Sequence, residues 1–173
     1  YYFYFVATPM YSTKSEFLIL TADGLGTSPS AGLFSGTAFA TGQDSIATQS
    51  YLESKDAMLR LNDDVGFMDH FSAPNIDPIP RLDPDATNEA AYKVYRKYVK
   101  LGYDPTEGVI RMELSTADPA VSQAFSETLI EYAEERVDQL SQEKRFDGLA
   151  TAEASLEDAK NERRAAQQRL VQL

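Results

Sequence analysis

Hydrophobic and polar positions change rhythm several times along this chain. Between residues 11 and 20 they alternate. Phe17 and Ile19 point one way, and Lys14, Glu16 and Leu18 alternate against them, which predicts a strand. Residues 21–44 lose the pattern. Gly, Ser, Thr, Ala and Pro dominate, with Leu25, Leu33, Phe34 and Phe39 scattered among them. This predicts a loop of a length that compact domains reserve for function or mobility. From Ser45 to about Leu61 an imperfect helical stripe of Ile46, Tyr51, Met58 and Leu61 predicts a helix capped by Asp44 or Ser45. Pro74, Pro78, Pro80 and Pro84 forbid a continuous helix across residues 66–84, which read as irregular. A second helix is predicted over 85–98, with Asp85 or Thr87 as its cap and Ala91, Tyr92, Tyr95 and Tyr98 along it.

Alternation then returns twice, over 99–103 and 109–115, around the turn Asp104-Pro105-Thr106-Glu107-Gly108. That is a hairpin, with Ile110, Met112 and Leu114 on one face and Arg111, Glu113 and Ser115 on the other. A two-stranded hairpin is marginal in water, so the strand over 11–20 is expected to join it. Asp118-Pro119 combines an N-cap with a proline at the first helical position. After it only Gly148 interrupts a helix-favouring run to Leu173, roughly 80 Å of helix at 1.5 Å per residue. The first half carries an apolar stripe, Val121, Phe125, Leu129, Ala133, Val137 and Leu140, suited to packing on the sheet. The second half changes period. Leu149, Leu156, Arg163 and Leu170 fall at one heptad position, and Ala152, Ala159, Ala166 and Leu173 at another. A Leu/Ala heptad is a coiled-coil seam, so this half is expected to leave the domain and meet a partner helix. The candidate contact residues are Leu149, Ala152, Leu156, Ala159, Ala166 and Leu170.

The fold class is therefore α+β: a small antiparallel or mixed sheet with helices on one face, plus one very long C-terminal helix with coiled-coil character. The expected organisation is residues 1–10 as the end of a truncated transmembrane helix, 11–117 as a base domain, and 118–173 as a long helix. That helix packs its first half on the base and projects its second. The aromatic run Tyr1 to Phe5 is too short to span a bilayer but suits the interfacial end of a membrane helix. A buried aromatic strand is the other reading.

Composition narrows the function by exclusion. The 173 residues carry a net charge of −11, which disfavours nucleic acid and anionic headgroups as partners. With no cysteine there are no disulfides and no thiolate metal sites, and the compartment stays open. The single histidine, His70, lacks the companions that a metal or a nucleophile requires and reads as a packing or surface residue. Gly24-Leu25-Gly26 follows a strand, but Pro29 stands where a dinucleotide fingerprint needs its third glycine. Residues 83–87 lack the turn glycine and distal glutamate of a calcium loop, and helix capping accounts for Asp85 better. The pairs Asp63-Asp64 and Glu134-Glu135 read as solvated faces, and the tyrosines at 92, 95 and 98 as core rather than a sugar platform. No enzyme and no cofactor are expected.

The order of these elements resembles a known family. It runs from the aromatic start through Tyr11 and Phe17 to Gln43-Asp44 and the helix with Tyr51-Leu52, Ser54-Lys55-Asp56-Ala57 and Leu59. Arg81-Leu82, the Tyr-rich helix, Tyr103-Asp104, Gly108-Val109-Ile110, Leu114 and Asp118-Pro119 follow. This is similar to the capsule polysaccharide export inner-membrane family (KpsE type), relatives of the Wzz-like chain-length determinants, together called polysaccharide co-polymerases. The resemblance implies a protein anchored in the bacterial inner membrane by helices outside this segment, with the segment itself periplasmic. It implies a homo-oligomer that works with a polysaccharide ABC transporter, an outer-membrane polysaccharide export protein and the polysaccharide. It supplies no catalytic residues. Two other classes compete: a periplasmic adaptor of a secretion or efflux system, and a glycan-acting enzyme, which needs convergent carboxylates in a pocket.

Overall fold

The computed structural model describes residues 8–19, 38–78 and 81–171, apart from the side chains at 38–41 and 169–171. The expectations for the aromatic start, for Gly24 to Pro29 and for most of the 21–44 loop lie outside the described residues. The element order is β1 (Tyr11–Leu18), α1 (Ala38–Leu52), α2 (Lys55–Val65), α3 (Phe67–Ser72), α4 (Asn88–Tyr98), β2 (Val99–Asp104), β3 (Val109–Thr116) and α5 (Pro119–Val171). Two compact units meet between Val137 and Asp138, inside α5.

The sheet is three-stranded and antiparallel, in the order β1-β3-β2. β1 joins the hairpin as expected and makes β3 the central strand, with Phe17 opposite Ile110 and Thr13 opposite Leu114. The alternation sorts the two faces. Ile110, Met112 and Leu114 are buried, while Arg111 and Glu113 are exposed. The hairpin turn closes with the Gly108 amide donating to the Asp104 carbonyl at 2.8 Å, and Gly108 has φ 71°, a left-handed conformation that glycine adopts without strain. Asp104 Oδ1 also accepts from the Thr106 and Glu107 amides, an Asx turn.

The predicted 45–61 helix is two helices, and the first begins earlier, at Ala38. Asp44 and Ser45, expected as caps, are buried inside α1. The break falls where Ser54 caps α2, its Oγ accepting from the Ala57 amide at 3.2 Å. The carbonyls freed at the end of α1 find partners on α4. Tyr95 donates its hydroxyl to the Leu52 carbonyl at 2.5 Å, and Tyr92 donates to the Glu53 carbonyl at 2.8 Å. A helix end buried without such partners leaves its last carbonyls desolvated and unpaired, so these tyrosines make the break tolerable.

The 66–84 segment is not wholly irregular. α3 forms before the first proline, entered through Gly66 in the left-handed region at φ 71°. α4 is capped by Thr87, whose hydroxyl accepts from the Ala90 amide at 3.3 Å. Asp85, the other candidate, instead donates its amide to Asp83 Oδ1. The core joins α2, α3, α4 and the first half of α5 to the inner sheet face, through Met58, Leu61, Phe67, Phe71, Tyr95, Met112, Leu114, Phe125, Leu129 and Tyr132. Phe67 is its centre, with ring centroids 4.9 Å from Phe71, 5.6 Å from Tyr95 and 5.8 Å from Phe125. Burying that many aromatic side chains, each worth about 1.5–3 kcal/mol, is the main force closing the base.

α5 starts as its sequence dictates. Asp118 Oδ1 accepts from the Ala120 amide at 2.7 Å and from the Val121 amide at 3.4 Å. Its first turns meet β1 through paired hydroxyls, Thr13 with Ser122 at 2.7 Å and Ser15 with Ser126 at 2.8 Å. Phe125, Leu129 and Ala133 are buried as the stripe predicts, and Tyr132, which lies beside it, is buried too.

Candidate functional site: an exposed heptad face on the long helix

The second unit, 138–173, is helical from Asp138 to Val171. Gly148 does not break it, and a Cβ built there meets nothing within 4 Å. The heptad residues are open. Leu149 is 59% and Leu156 56% exposed, and Ala152, Ala159, Arg163 and Ala166 are exposed as well. The side chain of Leu170 lies outside the described residues. Phe146 is 71% exposed and was not among the residues read from the sequence. It stands one turn before Leu149 but off the 3-4 spacing of the seam, and so escapes a heptad count. Several polar side chains on this helix bond within it. Thr151 donates to the Asp147 carbonyl at 2.8 Å, Ser155 donates to the Thr151 carbonyl at 2.9 Å, and Lys160 lies 3.7 Å from Glu157. Three large apolar side chains, Phe146, Leu149 and Leu156, stand at more than half their full exposure.

The other candidate groups are accounted for within the base. The acidic pairs are less idle than the solvated-face reading supposed. Arg60 holds Glu135 with two hydrogen bonds, at 2.6 and 3.1 Å, and its guanidinium lies 4.1 Å from the centre of the Tyr132 ring. Arg60 also pairs with Asp64 at 3.6 Å, and Tyr132 donates its hydroxyl to Asp64. This network ties α2 to α5. The Arg60 hydrogen bonds hold Glu135 below the ordinary carboxylate range. Glu53 is likewise held low: burial works against it, and hydrogen bonds from Gln49 and Arg96 overcome that. Arg111 holds Asp104 low, and Lys55 does the same for Glu89. A glycosidase acid needs its proton affinity raised, and each of these carboxylates is displaced the other way.

On the outer face of the sheet, Lys14, Glu16, Lys100, Arg111 and Glu113 line a shallow groove of about 380 Å³ over Gly102. Four of its charges are cross-paired, Lys14 with Glu113 at 3.8 Å and Arg111 with Glu16, and Arg111 also pairs with Asp104 and Glu107; Lys100 donates to the Arg96 carbonyl at 3.0 Å. Among the described residues no group of three or more His, Asp or Glu side chains is placed to hold a metal. The tyrosine row is spent on the fold, with Tyr92 and Tyr95 on backbone carbonyls and Tyr98 stacked on Phe71 at 5.1 Å. No helix among the described residues is long and apolar enough to cross a membrane.

No family model matches the chain. Curated relatives do. The capsule polysaccharide export inner-membrane protein KpsE of Escherichia coli is 26% identical over 165 residues, 94% of this chain and 43% of the relative. CtrB of Neisseria meningitidis serogroup A, of the same description, is 26% identical over 162 residues, 88% of this chain and 40% of that protein. The chain is similar to the capsule polysaccharide export inner-membrane proteins. The Vi polysaccharide export inner-membrane protein VexD of Salmonella typhi is 22% identical over 168 residues, 94% of this chain and 37% of its own length. The resemblance read from the order of elements is thus the one these export proteins carry, and they are named for export, not for catalysis. The chain spans about two fifths of the length of the curated relatives it matches.

Proposed function

We propose that this chain is the non-catalytic periplasmic part of an inner-membrane protein of capsule polysaccharide export. It forms a homo-oligomer and couples a polysaccharide ABC transporter to an outer-membrane polysaccharide export protein. The base, residues 11–117 with the first half of α5, is the folded platform. The second half of α5 is the contact element, through Leu149, Ala152, Leu156, Ala159, Ala166 and Leu170. Supporting this reading are the relatives' names over nearly the whole chain, and one observation above all: the heptad face is apolar and exposed in the single chain. Leaving it in water forgoes the burial that stabilises helices of this kind, since most helical stability in proteins comes from packing an apolar face. The alanines let a partner helix approach closely, and Arg163 carries its charge out of the seam on its aliphatic stem.

The test is Leu156→Asp in the complete export protein, produced in encapsulated cells that lack their own copy. The expected outcome is loss of surface polymer and of oligomer, with the protein still present at normal level and its base folded. Normal export and an intact oligomer overturn the assignment of the seam. Hydrogen exchange in the assembled complex reads the same contact directly, and free exchange of residues 149–171 there also refutes it.

A further inference from the structure

His70 was read from the sequence as a packing or surface residue, and the structure gives it a specific position. It lies in the last turn of α3, half-buried, with its ring edge-on to Phe71 at 5.1 Å and to Phe125 at 5.8 Å. Its Nε2 accepts a hydrogen bond from the Ala117 amide at 3.4 Å. Ala117 is the one residue between the end of β3 and the N-cap of α5. The rest of that joint is held by a hydroxyl and a carboxylate. Thr116 donates its hydroxyl to the Asp118 carbonyl at 2.6 Å, and the Asp118 carboxylate caps the Ala120 and Val121 amides.

The geometry points to His70 as a pH-sensitive latch on the joint through which the sheet passes into the long helix. An acceptor at Nε2 fixes the neutral tautomer, with the ring proton on Nδ1. Protonation turns Nε2 into a donor that faces another donor, the Ala117 N–H. The hydrogen bond is lost, and a charge is placed in a half-buried site packed between the apolar rings of Phe71 and Phe125. The neighbouring charges do not cancel this. Asp118, across the joint, draws the proton on. On its own helix Asp69 is adjacent in sequence but lies against Gly66, and α5 packs Phe125 against the ring, its N-cap Asp118 being the carboxylate that acts on it. α4 contributes Tyr98, which stacks on the far partner, Phe71. Burial outweighs Asp118 and holds the imidazole below its ordinary value of 6.5.

The sign follows. A histidine that is less basic folded than unfolded contributes stability that is fully present above about pH 6.5. That contribution is lost as pH falls from there through the folded value, because the unfolded chain then binds the proton more readily. The latch is therefore closed at neutral pH and opens in mild acid, at the first turn of α5.

NMR on the 173-residue chain tests this. The His70 imidazole and the Ala117 amide are followed in one titration between about pH 8 and about pH 5, with amide exchange corrected for its intrinsic pH dependence. Expected is an imidazole midpoint below the ordinary histidine value. Ala117 exchange should rise about threefold to tenfold through the same midpoint, the change that losing one hydrogen bond produces. His70→Gln, which keeps an acceptor but does not titrate, should flatten that step. An Ala117 amide indifferent to His70 titration overturns the latch, and so does an equal step in His70→Gln. Because both resonances come from the native chain, the wild-type titration decides the matter even if the variant folds poorly.

Discussion

The two halves of α5 are the same secondary structure in opposite states. Before Val137 the helix is held from several sides: Phe125, Leu129 and Tyr132 are buried, Ser122 and Ser126 bond to β1, and Glu135 is gripped by Arg60. After Asp138 every residue of the run 142–164 is exposed, including Phe146, Leu149 and Leu156. Nothing in helix propensity separates the halves. What separates them is whether the apolar face is covered by other described residues of the chain. A 34-residue stretch from Asp138 to Val171 keeps its helix by local propensity and continuity with the anchored half, and propagation along a formed helix is easy where nucleation alone is not. The base is therefore a structure made by tertiary contacts, and the distal helix one made by local preference.

The largest expected effect breaks the base. Phe125→Ala removes a fully buried ring from the centre of the Phe67, His70 and Phe125 cluster and leaves a cavity. A loss of about 3–5 kcal/mol of unfolding free energy is expected in denaturant titration. A loss under about 1 kcal/mol shows that the base does not depend on this ring. The next is Tyr95→Phe. It keeps the ring and removes only the hydroxyl that caps the Leu52 carbonyl, so a buried acceptor is left unpaired. The expected cost is about 1–3 kcal/mol. Amide exchange should quicken around Ser54 and Ala57, where α2 begins.

How much of this was legible in sequence follows from the same division. The strands, the hairpin turn and the Asp118-Pro119 start were legible because each is written locally, in alternation, turn chemistry and caps. The α1–α2 break was not. Leu52-Glu53-Ser54 carries no proline or glycine, and the tyrosines that make the break affordable lie 39 to 43 residues further on. α3 was hidden among prolines that in fact begin only after it ends. The Arg60–Glu135 grip joins residues 75 apart, so each looked like an ordinary surface charge. The Leu/Ala heptad spacing was legible as periodicity, but periodicity does not distinguish a face already covered from one left bare. The exposure of Leu149 and Leu156 adds that.

In the distal half the same kind of substitution should do almost nothing to the isolated chain. Leu156→Asp removes a side chain that is 56% exposed, so the base should unfold within about 0.5 kcal/mol of wild type. The contrast with Phe125→Ala is the measurement. A large loss from Leu156→Asp in the monomer means that the distal face already packs on something within the chain. An effect that appears only on assembly locates its partner outside.

The smallest expected effect runs the other way, and it tests the idea that local preference alone holds the distal helix. Gly148 lies inside α5, and its conformation is ordinary helix: its φ is not positive, in contrast to Gly66 and Gly108. A Cβ built there meets nothing within 4 Å, so the added methyl displaces no neighbour. Gly148→Ala therefore gains helix propensity without a packing cost, about 0.5–1 kcal/mol, largely by restricting the unfolded chain. Because the first half of the helix is anchored in the core, that gain should appear only beyond the boundary at Val137. Amide exchange should slow over the turns around Arg145 to Thr151, while the exchange of Phe125 and Leu129 and the denaturant midpoint of the base stay unchanged. If protection in the base rises as well, the two halves unfold as one cooperative unit, and the division between tertiary and local support is wrong. If protection falls around position 148, then in the folded chain that glycine takes a conformation which alanine disfavours, and the helix is not continuous there.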